Sequence, residues 1–115
     1  MNLNSKIDKV FNIVVDSFNI SYNDDSIVKI TKDDIISRNK SSHIVIARSI
    51  IVNQLVKYGF DVNSCSKIMN RSKAAIRHLL EICDSSITIN NLYKELYKTI
   101  EDECKKLMSD TNEES

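Results

Sequence analysis

Residues 63–83 read NSCSKIMNRSKAAIRHLLEIC, two short helical patterns meeting at Met69-Asn70-Arg71. In the second pattern Ala75, Ile76, Leu79, Leu80 and Cys83 recur at helical spacing and form an apolar side. Lys73 and Arg77, with Ala74 and His78 beside them, form a basic side. An apolar back holds such a helix to a core, and a basic front with small residues lets its backbone approach a groove. The second helix of a helix-turn-helix needs these properties to lie on DNA. A solvated helix of an ordinary small bundle also carries charges, so the rest of the chain has to weigh in.

The 115 residues contain one Gly and no Pro among many Ile, Val and Leu, which suits one helical domain with short connections. We read residues 1–108 as that domain, with the helix-turn-helix at 63–83, and 109–115 as a disordered acidic tail. Sixteen basic residues balance sixteen acidic ones, so net charge names no partner. Their distribution is uneven. Residues 38–78 hold Arg38, Lys40, Arg48, Lys57, Lys67, Arg71, Lys73 and Arg77 against the single acid Asp61, while both flanking thirds are net acidic. The positive field therefore coincides with the helix-turn-helix, a footprint suited to phosphate.

Outward from that stretch, Leu3, Ile7, Val10, Phe11, Val14 and Phe18 make one stripe of an amphipathic helix over about Asn2–Phe18. Residues 19–30 break the pattern, with turn chemistry at Tyr22–Ser26 and room for a short extended pair. Thr31 is placed to cap a single turn, Lys32–Ile36, whose Asp33 and Asp34 suit the amino-end dipole. After the polar loop SRNKSS, Ser41 or Ser42 caps a long helix, His43–Tyr58. It is apolar around most of its circumference, leaving Arg48, Ser49, Asn53, Gln54 and Lys57 for a wet side. Such a helix should be the most buried. Gly59 ends it, and Asn63 or Ser64 caps the next. Asp84-Ser85-Ser86 is read as a connector. A last helix starts at Thr88 or Asn90 and runs to about Leu107, with Leu92, Tyr93, Leu96, Ile100, Cys104 and Leu107 as its stripe and Glu101–Lys105 as a supporting pair. The expected fold class is all-α.

Catalytic chemistry has no foothold in this pattern. Cys65, Cys83 and Cys104 are odd in number and lack CxxC spacing, so neither a disulfide framework nor a zinc site is expected. His43 and His78 stand alone, and the acidic pairs fall in turn or cap contexts. The amino-terminal residues lack a signal-peptide pattern, and no apolar run approaches the roughly 20 residues that span a bilayer. We expect a soluble cytoplasmic protein with no cofactor, no metal, no bound nucleotide and no membrane partner.

With the loop and its flanking helices placed, residues Thr31–Cys83 resemble the carboxy-terminal DNA-binding domain of the bacterial replication initiator DnaA, one of the Trp-repressor-like helical folds. The resemblance rests on a basic loop (Ser37-Arg38-Asn39-Lys40-Ser41), an Ala47-Arg48 pair and a signature position (Arg71-Ser72-Lys73-Ala74-Ala75-Ile76), in that order. It implies duplex DNA binding, in control of replication or transcription, through Arg38, Lys40, Arg48, Arg71, Ser72, Lys73, Ala74, Arg77 and His78. In this reading Arg71 forks onto a guanine edge or clamps a phosphate. Arg38 and Lys40 reach phosphate or the minor groove, and Ala74 touches a thymine methyl. The signature departs from the family's Arg-Asp-His-Ser/Thr-Thr-Val. Lys73, Ala74 and Ala75 stand where polar base readers are usual, Ser72 replaces the Asp, and the turn is about one residue shorter. No Gly-rich ATPase loop accompanies the module. A homodimer or a protein partner is compatible with this reading, and a protein–protein adaptor that keeps the fold without binding DNA is the competing expectation.

Overall fold

The computed structural model describes residues 3–21, 30–38 and 41–114, with side chains from 5–19, 30–38 and 41–107. The turn and extended pair expected around residues 22–29, and Lys40, lie outside the described residues. Six helices follow in order: α1 (Leu3–Ser21), α2 (Lys32–Ile36), α3 (Ser42–Lys57), α4 (Val62–Met69), α5 (Lys73–Ile89) and α6 (Asn91–Glu114). Among the described residues there is no strand.

The middle helix, α3, packs against each of the other five. Ile44, Ala47, Ile50, Ile51, Val52 and Leu55 are buried along it, and the core is completed by residues such as Phe11, Val14, Phe18, Met69, Ile76 and Ile100. A helix apolar around most of its circumference reaches low free energy only when every side is covered. The expected wet side is therefore largely dry. Arg48 is 5% exposed, Ser49 and Gln54 are 0% exposed, and Asn53 is half-buried, leaving Lys57 outside. Buried polar groups need partners. Ser49 Oγ donates to the Ile46 carbonyl at 2.7 Å, and Asn53 Oδ1 accepts from Tyr97 Oη at 2.7 Å.

The local signals set most helix ends. Thr31 and Asp34 form a reciprocal capping box at α2. Gly59 stands two residues past the end of α3, after the Tyr58 cap, at φ +102°, a backbone state that L side chains rarely adopt. The cap of α4 is Asp61, whose carboxylate accepts from Ser64 N at 2.7 Å, rather than Asn63 or Ser64, which lie inside the helix. The residues read as a connector, Asp84-Ser85-Ser86, are helical. There Thr88 Oγ1 bonds the Asp84 carbonyl at 2.7 Å while half-buried Ile87 packs on the core. Packing of this kind overrides the weak helix propensity of Ser and Asp.

Helix α6 begins after Asn90, whose Oδ1 accepts from Tyr93 N at 3.2 Å, and it runs through Glu114 into the stretch assigned to an acidic tail. Its stripe holds at Leu96, Ile100 and Cys104, but Leu92 is 44% exposed. Glu101 pairs with Lys57 of α3 rather than with Lys105 alone. Asn19 at the end of α1 bonds both backbone groups of Ile30, and Lys32 Nζ reaches Asp8 at 2.6 Å, so α2 is tied to α1.

Candidate nucleic-acid interface

Asn70 closes α4 in the left-handed conformation (φ 54°, ψ 50°), which Asn tolerates better than most side chains. The turn that follows is locked from both sides. Arg71 N donates to the Ser66 carbonyl at 3.0 Å, and Ser66 Oγ donates back to the Arg71 carbonyl. Ser72 then caps α5, its Oγ accepting from Ala75 N at 3.1 Å. Three residues, Asn70 to Ser72, thus join the two helices.

The geometry of Arg71 differs from the solvent-facing contact expected of it. It is half-buried, and its guanidinium donates to the carbonyls of Ile36, Ser37, Met69 and Asn70. Two of these lie at the carboxy end of α2, one closes α4 and one is in the α4–α5 turn. Arg48 works from the opposite side. Its Nε donates to the Ile35 carbonyl at 2.7 Å, and its Nη2 to the carbonyls of Ser37 at 3.0 Å and Asp34 at 3.3 Å. Both arginines therefore gather the unpaired carbonyls that any helix leaves at its end, here those of α2. The sequence reading had Arg48 on a wet side, free to reach DNA. Its described partners are carbonyl oxygens instead. Burial, and then the charge of Arg71, pull the Arg48 pKa below the usual arginine value.

Arg38, Arg48, Asn70, Arg71, Ser72 and Ala75 line one concavity of about 400 Å³. Its rim residues Arg38, Asn70 and Ser72 are exposed, while Arg48, Arg71 and Ala75 are buried or half-buried. Among the described residues no acidic one lines it. Arg38 makes no hydrogen bond or ion pair among the described residues. Sequence reasoning had placed Ala75 on the apolar side of its helix and passed over Asn70 as a site residue. The preference of Asn for the left-handed state was the available signal for the latter.

Along α5, Ile76, Leu79 and Cys83 are buried, while Lys73, Ala74, Arg77, His78 and Glu81 are exposed. Lys73 and Arg77 lie one turn apart and make no ion pair among the described residues. His78 Nδ1 stands 3.7 Å from Glu81. The first two turns are thus basic, and from Glu81 and Asp84 onward the exposed face is acidic. The structure brings Arg38, Arg48, Arg71 and Ser72 around the concavity and sets Lys73, Ala74, Arg77 and His78 on the adjoining helix face.

Among the described residues no group of His, Cys, Asp and Glu could hold a metal ion, and no helix is long and apolar enough to cross a membrane. The three cysteines are buried, and desolvation raises the thiols of Cys65 and Cys104 to about 11 and that of Cys83 to about 12. No family model, curated protein or solved structure matches the chain.

Proposed function

We propose that the chain binds double-stranded DNA without catalysis, α4 and α5 acting as a helix-turn-helix with α5 in the groove, in control of replication or transcription. The observation that carries this reading is the junction of two basic features. An arginine-lined concavity opens at the amino end of α5, and the first two turns of that helix expose Lys73 and Arg77 beside the small Ala74. A duplex presents phosphates on both sides of its major groove, so charges flanking a small-residue helix face match that spacing of ligands. Helix N-terminal amides add to the attraction for anions.

Base discrimination is modest in this arrangement. Ala74 has no hydrogen-bonding group, and Lys73, Arg77 and His78 are left as the polar side chains that could reach base edges. Specific sites typically exceed non-specific DNA by roughly 10³-fold or more, and the monomer should fall short of that ratio.

Fluorescence anisotropy on a labelled duplex at varied salt tests the reading. With about four phosphates neutralised, log affinity should fall with log salt at a slope near −3.6, a loss of roughly 10²-fold between 50 and 200 mM. Binding that is absent at about 50 mM, or indifferent to salt, would refute DNA binding and turn attention to a protein partner for the same face.

A further inference from the structure

A helix of five residues, such as α2, does not persist by its own hydrogen bonds. Whatever holds its carboxy end therefore decides where the loop residue Arg38 stands. Buried Ile35 fixes the inner side of α2, and side chains from elsewhere hold its end. Arg48 of α3 donates to the Asp34, Ile35 and Ser37 carbonyls. Arg71 of the α4–α5 turn donates to those of Ile36 and Ser37. The Ser37 carbonyl belongs to the peptide bond that begins Arg38. The same Arg71 guanidinium bonds the Met69 and Asn70 carbonyls. The Arg71 backbone is itself locked to Ser66 in both directions, just before the Ser72 cap of α5. One planar group thus ties the peptide that carries Arg38 to the turn that starts α5, across 34 residues of sequence. A lysine would not make this link, because its ammonium is a compact point on a flexible stem, whereas a guanidinium presents five donors in a fixed fork.

We infer that Arg71 is a positioning residue that sets Arg38 at a fixed distance from the exposed Lys73 and Arg77 of α5. The duplex then meets two rigidly spaced basic points rather than a helix and a free loop arginine. The inference rests on the DNA reading above and deepens it by making Arg71 a clamp instead of a DNA contact. Ordering a loop at the moment of binding offsets part of the affinity that the loop brings, and a loop already fixed keeps it. A fixed spacing also favours one placement of α5 in the groove over its neighbours along the duplex. Phosphate contacts, which carry no sequence information themselves, set register in this way, and that matters for a helix with few base-reading groups.

Two measurements test the clamp, and the first needs no DNA. Nitroxide labels are placed at Arg38→Cys and Asp84→Cys, both exposed positions, in the full chain, whose own three cysteines are buried. The distance distribution from pulsed electron paramagnetic resonance should be narrow with Arg71 in place and clearly broader in Arg71→Lys. A control pair at Asp84→Cys and Asp102→Cys should keep its width. An unchanged first pair overturns the clamp. Broadening of both pairs overturns it too, since Arg71 then serves the fold at large. The second measurement is duplex affinity against salt by fluorescence anisotropy. Arg38→Ala should remove about 0.9 from the slope, one phosphate contact. Arg71→Lys, which keeps its charge, should remove about the same, and the double variant no more than either. Losses that add, or an Arg71→Lys protein that binds like wild type, would overturn the positioning role and leave the DNA reading standing. Wild type that fails to bind duplex at about 50 mM salt overturns the DNA reading, and with it this role for Arg71, whatever the distances show.

Discussion

Removing the guanidinium of Arg48 distinguishes a scaffold residue from a surface contact. In Arg48→Met the stem length is kept and the donors to Ile35, Ser37 and Asp34 are lost. Ile35 is buried, so its carbonyl is left without a donor away from water, at about 1–3 kcal/mol. Asp34 and Ser37 are less enclosed and water replaces their lost bonds, which adds about 0.5 kcal/mol each by the lower bound for a net hydrogen bond. Relief from burying a charge offsets part of this. The expected net loss is about 2–3 kcal/mol. For a chain of this length, entropies of unfolding near 2.1 cal/mol/K per residue make each kcal/mol worth about 4 °C, so the melt should drop by roughly 8–12 °C. A surface arginine would cost within about ±0.5 kcal/mol, and Arg38→Ala is the matched control that should behave so. Thermal unfolding followed by circular dichroism reads both variants. If Arg48→Met melts within about 2 °C of wild type, the α2 end is not held by this side chain and the wall of the concavity has been misassigned.

Ile76→Asn buries an amide at a position 0% exposed, on the face of α5 opposite the exposed Ala74 and His78, and should cost several kcal/mol, about as much as a typical domain can lose. A stable Ile76→Asn protein in a melt would mean that α5 faces the other way. The Lys57 bond holds the Glu101 carboxyl below its ordinary value of 4.5. The lowered folded-state value means that the pair's contribution is present above about pH 4.5 and fades as pH falls through the folded pKa. Lys57→Met should therefore cost up to about 1 kcal/mol at pH 7 and progressively less in denaturant melts below pH 4.5. A deficit independent of pH would show that the loss is one of packing. With their thiols raised to about 11, 12 and 11, Cys65, Cys83 and Cys104 should not react with a disulfide reagent at pH 8 until the protein is denatured. Prompt reaction of any one in the native state would contradict its burial.

Much of the architecture was readable from periodicity and punctuation, because those signals act within a few residues. The stripes of α1 and α5, the central place of α3, the Thr31 cap and the break at Gly59 all follow from side-chain spacing and backbone preference. The inward Cys83 follows in the same way. The end of α5 was not readable, since Asp84-Ser85-Ser86 is poor helix sequence that stays helical only because Ile87 finds the core. Nor was the dryness of Ser49 and Gln54, which depends on how many neighbours surround α3. The arginines show the same division. Nothing local distinguishes Arg38, Arg48, Arg71 and Arg77, all of which the sequence presents as equal cations in one basic third. Whether a guanidinium faces solvent or a carbonyl depends on which chain ends meet it in space. Folding brings the end of α2 to both α3 and the α4–α5 turn, so Arg48 and Arg71 turn inward to its carbonyls while Arg38, Lys73 and Arg77 remain outside.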